Sequence, residues 1–305
     1  MILRDILTCG SEDCRKMMDY GLAEREFKIS TSDISRATAN FTVGFVRLSI
    51  REGVEDAESA GSGSLISVGP IKGILTAAHV LEHLPDQGDV GLVWYIGPPP
   101  RFRRPTINMQ QTQKLLVGGE ASGPSGPDLG FLRLPPQSVA MLEAVLSFYN
   151  LSKRRDDVLA NKAPAPSSVD AIVGMISQLT EDVDAEQRQV RLKRFTAIFG
   201  PGTSGAMVEA NSNDTFDFEV TPDSDFEVPS SFGGASGGAV WRFYVSENEG
   251  AASVVDSRLV GVPFFETPRD GKMIISCQGP KSIYGTLVDE IKKTWPEEVD
   301  EKPST

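Results

Sequence analysis

From Phe41 onward the chain is cut into short runs rich in β-branched and aromatic residues, FTVGFVRLSI, SGSLISV, IKGILTA and VGLVWYI, with Gly, Pro or Asp between them. Runs this short carry strand patterning rather than the periodicity of long helices, and the turn residues fold each back on the last. An antiparallel barrel or sandwich is the expected outcome. The stretch 97–105, with three consecutive prolines and three arginines, lacks the backbone donors of a central strand and reads as a surface loop.

After DLGFLRL the pattern turns helical. Val139, Leu142, Val145, Leu146 and Tyr149 recur at helical spacing and predict a packed helix over Pro136–Leu151. Residues 152–168, SKRRDDVLANKAPAPSS, lose that periodicity and gain charge and Pro, as a linker does. Strands resume with VDAIVGMIS, QVRLKRFTAIFG, the alternating FDFEV, GGAVWRFYV and SRLVGVPFF. A helical Ser282–Trp295 and a polar tail close the chain. The acidic stretch Glu209–Glu227 reads as a solvated loop around one strand. The division expected is an N-terminal extension (1–37, with a short helix over Cys14–Phe27), a first β-domain (38–151), a linker (152–168), a second β-domain (169–295) and a tail (296–305).

With 305 residues, 40% of them hydrophobic, the chain can bury full cores without staples. Its formal charge of -12 repels phosphate, which argues against nucleic acid or an anionic membrane as partner. The three cysteines, Cys9, Cys14 and Cys277, make no disulfide framework. Arg4 and Asp5 interrupt any export-signal core, and no uncharged apolar run reaches membrane-spanning length. A soluble, cytoplasmic protein is expected.

Chemistry concentrates at three places. His79, in GILTAAHVL, is one of only two histidines, so any imidazole base must be His79 or His83. Ser236, in SFGGASGGAVW, is boxed by small residues that permit a tight turn and close approach of backbone N–H groups to a substrate. Asp128, in GPDLGFLRL, is an acid at the mouth of a strand. Each has a plain alternative: a structural histidine, a glycine turn, a turn aspartate. His79–His83 also satisfies H-x-x-E-H, which would make both histidines zinc ligands on one helix face. Gly234–Gly238 fits the nucleophile elbow G-x-S-x-G, but that fold needs a histidine after the serine and none follows Ser236. Ser204, in GTSGA, reads as a turn residue.

TAAHV around His79, DLGFLRL from Asp128 and GASGGAV around Ser236 resemble, in their chain order, the three signature blocks of chymotrypsin/trypsin-like serine proteases, in a bacterial-type form without disulfides. The resemblance spans residues 38–290. It implies an all-β fold of two six-stranded antiparallel β-barrels with a short C-terminal helix, the first barrel carrying His79 and Asp128 and the second Ser236. It implies a serine endopeptidase with Ser236 as nucleophile, His79 as base, Asp128 orienting the imidazole, and an oxyanion hole from the amides of Gly234 and Ser236. LVGVPFF resembles the strand lining the family's cleft, which places Ser230 and Ser231 at the base of the specificity pocket and Phe264, Phe265 and Glu266 at its wall. A small or apolar substrate residue is expected there, with Glu266 as a recruiter of basic ones. A protein or peptide is the implied substrate, and neither cofactor nor metal is implied. Two departures stand out: Ala235 replaces the aspartate that pairs with a new N-terminus in digestive members, and no activation sequence precedes the first strand. Control through the N-terminal extension or a regulatory partner is therefore expected. A protease-like binding module without turnover and a zinc peptidase at His79–His83 remain the alternative functions.

Overall fold

A computed structural model describes residues 2–4, 26–28, 38–51, 54–94, 105–119, 126–183, 192–210, 212–221, 228–248 and 251–296. In the extension, β1 (Ile2–Arg4) pairs antiparallel with β2 (Glu26–Lys28). The first sheet contains β3 (Thr42–Arg51), β4 (Val54–Val68), β5 (Ile71–Thr76), β6 (Asp89–Val93), β7 (Thr106–Asn108), β8 (Gln113–Gly118), β9 (Asp128–Arg133) and β10 (Tyr149–Asn150), with α1 (Ala78–His83) between β5 and β6. Its order is β7-β6-β3-β4-β5-β9-β8, and β10 adds to β4 in parallel. Val43 and Phe45, two apart on β3, turn into one core with Leu65, Ile74, Leu92 and Leu132, as strand alternation requires. This sheet is curled but open, a half-barrel.

The second sheet contains β11 (Ser167–Val183), β12 (Leu192–Ser204), β13 (Val208–Ala210), β14 (Asn213–Val220), β15 (Ala239–Asn248), β16 (Ala251–Arg269) and β17 (Lys272–Gln278). The order is β12-β11-β15-β16-β17-β14-β13. Because β12 also pairs with β14, through Gly202 and Val220, the pairing closes into a ring with β13 as an appended edge. FDFEV behaves as its alternation demands: Phe216, Phe218 and Val220 are buried while Asp217 and Glu219 stay outside that core.

A third core lies between the sheets. Ile66, Leu75 and Phe131 of the first meet Val169, Trp241 and Phe243 of the second. Trp241 stacks on Phe41 at 5.5 Å and receives the edge of Tyr149 at 5.0 Å. The C-terminal segment seals this seam: a π-helical stretch, Lys281–Leu287, runs into α4 (Val288–Thr294), inserting Ile283, Tyr284, Leu287 and Ile291. The buried Asp214 carboxylate starts the segment by accepting from the amides of Lys281 (3.0 Å) and Ser282 (2.7 Å). Among the described residues no helix is long and apolar enough to cross a membrane.

Several local expectations change. The helix foreseen to Leu151 ends at Glu143 as α2 (Pro136–Glu143); Tyr149 is buried by pairing with Ile66 on β4, not by a helical face. Residues 152–168 are not all linker, because α3 (Leu151–Leu159) occupies their start. Asn150 caps it, accepting from Lys153 N at 2.8 Å, and Leu151 and Val158, two turns apart, dock into the shared core. Two well-spaced apolar residues suffice to fix a helix whose mean composition is polar. Ser204 is no turn residue: it ends β12, and its hydroxyl donates to Asp170 at 2.5 Å. The helix expected over Cys14–Phe27 and the loop 97–105 lie mostly outside the described residues; Glu26 and Phe27 stand in β2, and Pro105 O accepts from Leu92 N.

Candidate active site

β5 delivers His79 and β9 delivers Asp128, and these strands are neighbours, with Thr76 opposite Gly130. The chain leaves β5 at Thr76 and turns at once into α1, which sets His79 beside the start of β9. Asp128 accepts twice from one residue: its Oδ1 from the His79 backbone N–H (3.0 Å) and its Oδ2 from the ring Nδ1 (2.6 Å). The Asp128 side chain is 6% exposed and that of His79 23%, so the pair is shielded on the carboxylate side and open on the imidazole side. A carboxylate oxygen accepts, so the contact is made by an Nδ1–H, the tautomer that leaves Nε2 as the ring's acceptor. Gln278, fully buried on β17, donates to Gly126 O at 3.0 Å and steadies the turn that leads into Asp128.

The loop that precedes β15 sets Gly237, the neighbour of Ser236, against the strand end that leads into His79. Gly237 has φ +80°, and a Cβ there would collide with Thr76 Oγ1 and Ser62 O. Glycine therefore lets the loop press against the strand end that carries His79. Gly237 N donates to Pro263 O at 2.8 Å, and Ser62 N donates to Ser236 O at 2.8 Å. The Ala235 amide is used internally, donating to Phe232 O. Among the described residues the amides of Gly234 and Ser236 donate to no acceptor, which leaves two N–H groups available beside the half-buried serine. No hydrogen bond joins the Ser236 hydroxyl to His79 in this arrangement.

A pocket of about 200 Å³ borders Ser236, walled by Phe232, Ala235, Pro263, Phe264, Phe265, Glu266 and Ile275. Phe264, Phe265 and Glu266 are brought to it, whereas Ser230 and Ser231 are not part of its lining. Ser230 faces another hollow, and its hydroxyl donates to Gln178 Oε1 at 3.1 Å. Glu266 is committed to the loop: Oε1 accepts from Ser231 Oγ (2.8 Å) and Oε2 from Phe232 N (2.6 Å). Two larger hollows, about 510 and 430 Å³, include none of His79, Asp128 and Ser236 in their linings, so the smaller pocket is the one the chemistry would use.

His83 Nδ1 lies 2.6 Å from His79 O, and Asp128 engages His79 Nδ1. Among the described residues no three His, Cys, Asp or Glu side chains gather as a metal site would need. Cys277 is fully buried on β17, and burial pushes its thiol well above its ordinary range, so it is no competing nucleophile. Sequence reasoning missed Ser62, Gln178, Pro263 and Gln278 as supports; they lie in strand-like text whose only signal is their long-range bonding.

Comparison with protein-family models finds no match, and no curated protein matches the chain. Among solved structures the chain is similar to one reported for how aromatic interactions drive the coupled folding and binding of the intrinsically disordered Sesbania mosaic virus VPg protein. Identity is 14%, 81% of this chain and 90% of that chain are covered, and the TM-score is 0.40. The functional reading rests on the site's own geometry.

Proposed function

We propose that the chain is a chymotrypsin-like serine endopeptidase, its open first sheet and ring-closed second sheet standing in the places of that architecture's two barrels. The observation that carries the reading is the Asp128 carboxylate gripping both N–H groups of His79 at the point where Gly237 docks the serine loop. Ser236 Oγ attacks the substrate carbonyl and gives its proton to His79 Nε2. The oxyanion of the tetrahedral intermediate accepts from the Gly234 and Ser236 amides. His79 then protonates the leaving amine, and water repeats the cycle on the acyl-enzyme. With Glu266 engaged by Ser231 and Phe232, the pocket takes an apolar side chain.

A binding module without turnover is the second reading, favoured by the missing Ser236–His79 hydrogen bond. Serine–histidine contacts often tighten only when substrate arrives, which is why hydrolysis ranks first. Labelling by a fluorophosphonate, on wild type and Ser236→Ala, with and without a chelator, separates the readings. Labelling that requires Ser236 and ignores the chelator supports the hydrolase. An unlabelled wild type supports the binding module, and activity abolished by the chelator supports the zinc alternative.

A further inference from the structure

Ser62 lies against the proposed oxyanion hole and bonds to the carbonyls of both Gly234 and Ser236. It is fully buried on β4. Its amide donates to Ser236 O at 2.8 Å, and its hydroxyl lies 2.7 Å from Gly234 O. The same oxygen accepts from Met175 N at 2.7 Å, so one lone pair is taken and the single hydroxyl proton is directed to Gly234 O. Thr76 Oγ1 donates to Ser62 O at 2.6 Å, linking this residue to the strand end before His79.

The need for such a clamp follows from Gly234. It sits at φ +94°, where a Cβ would stand 2.6 Å from Ser177 Oγ, so only glycine fits. Glycine costs the loop its rigidity, because the peptide planes on either side are free to turn. Each is held by one outside donor: Ser177 N to Gly233 O at 2.8 Å before it, and the Ser62 hydroxyl to Gly234 O after it. The Gly234 N–H shares its plane with Gly233 O, which Ser177 N holds; the Ser62 hydroxyl holds the next plane, Gly234–Ala235, which lies between that donor and the Ser236 N–H.

We infer that Ser62 is a positioning residue whose hydroxyl fixes the Gly234–Ala235 peptide, the plane that links the two donor-bearing peptides of the proposed oxyanion hole, rather than merely a core residue of β4. The inference rests on the hydrolase reading. Removing an oxyanion donor outright lowers turnover by about 10²- to 10³-fold, and loosening one by roughly 10-fold or more. Ser62→Ala should lower kcat by about 10- to 100-fold with KM within about twofold of wild type. Affinity for a peptide aldehyde, whose hemiacetal oxygen fills the hole, should fall by a similar factor, while affinity for the product peptide stays put.

Ser64, two residues along the same strand, is the control. It is equally buried, but its hydroxyl has no hydrogen-bond partner, so Ser64→Ala should leave kcat unchanged. Ser62→Cys fills the same space with a weak donor and should show the same split in smaller measure, which covers an alanine variant that fails to fold. A Ser62→Ala enzyme with unchanged kcat overturns the inference. So does equal loss of aldehyde and product binding, or a Ser64→Ala variant as impaired as Ser62→Ala. A wild type that fluorophosphonate leaves unlabelled overturns the hydrolase reading itself; a labelled wild type indifferent to Ser62→Ala overturns the role of Ser62 alone.

Discussion

In the proposed mechanism Asp128 acts by being an acceptor and nothing else. Replacing it with asparagine keeps shape and volume but turns one oxygen into a donor, so the Nδ1 proton must move to Nε2, where Ser236 needs a lone pair. Asp128→Asn should slow fluorophosphonate labelling by about 10³- to 10⁴-fold while the melting temperature stays near wild type. Equal labelling rates for the two proteins would count against the triad. His79, Asp128 and Ser236 stood out in the sequence because each sits in a distinctive run and histidine is scarce: two in 305 residues. Ser62 did not, since one serine of GSGS looks like the next. Only its position under Gly234 sets it apart from Ser64.

The loop 230–238 and strand β16 form one working element. Ser177 and Gln178 of β11 hold the loop from one side, and Glu266 of β16 from the other. That bracing surrounds Ala235, whose own amide donates to Phe232 O. The pocket between loop and strand keeps aromatic and aliphatic walls, and its one acid already accepts two hydrogen bonds. A peptide-library profile should therefore favour aliphatic or aromatic residues at the cleaved bond, and Glu266→Gln should preserve that preference. A profile dominated by lysine and arginine, or by aspartate and glutamate, would refute it. The sequence pointed to this wall through VPFF but could not show Glu266 turned toward Ser231, because hydrogen bonding across 35 positions leaves no mark in either segment.

Across the molecule, the two sheets are joined by apolar side chains rather than by a bare linker, and Tyr284 reports on that seam. Its hydroxyl donates to Leu259 O at 2.9 Å, and complete burial pushes the phenol well above its ordinary 10.0. The unfolded chain releases this proton near pH 10 while the folded chain retains it, so stability present below that pH is lost as pH rises past it. Cys277 contributes with the same sign above its ordinary 9.0. The urea midpoint should fall steeply above about pH 10, and Tyr284→Phe should flatten that fall at a cost of about 1 kcal/mol at neutral pH. Parallel pH profiles for the two proteins would argue against the linkage. The sequence by itself determined the strand-rich class, the inward-facing residues of β14 and the three chemical blocks, because alternation and glycine turns act over a few residues. Tertiary structure alone decided that the second sheet closes while the first stays open, that Leu151 and Val158 make a helix of a polar stretch, and that Ser62, Gln178 and Glu266 brace the serine loop. Those outcomes depend on partners brought together from distant parts of the chain, and local patterning carries no record of them.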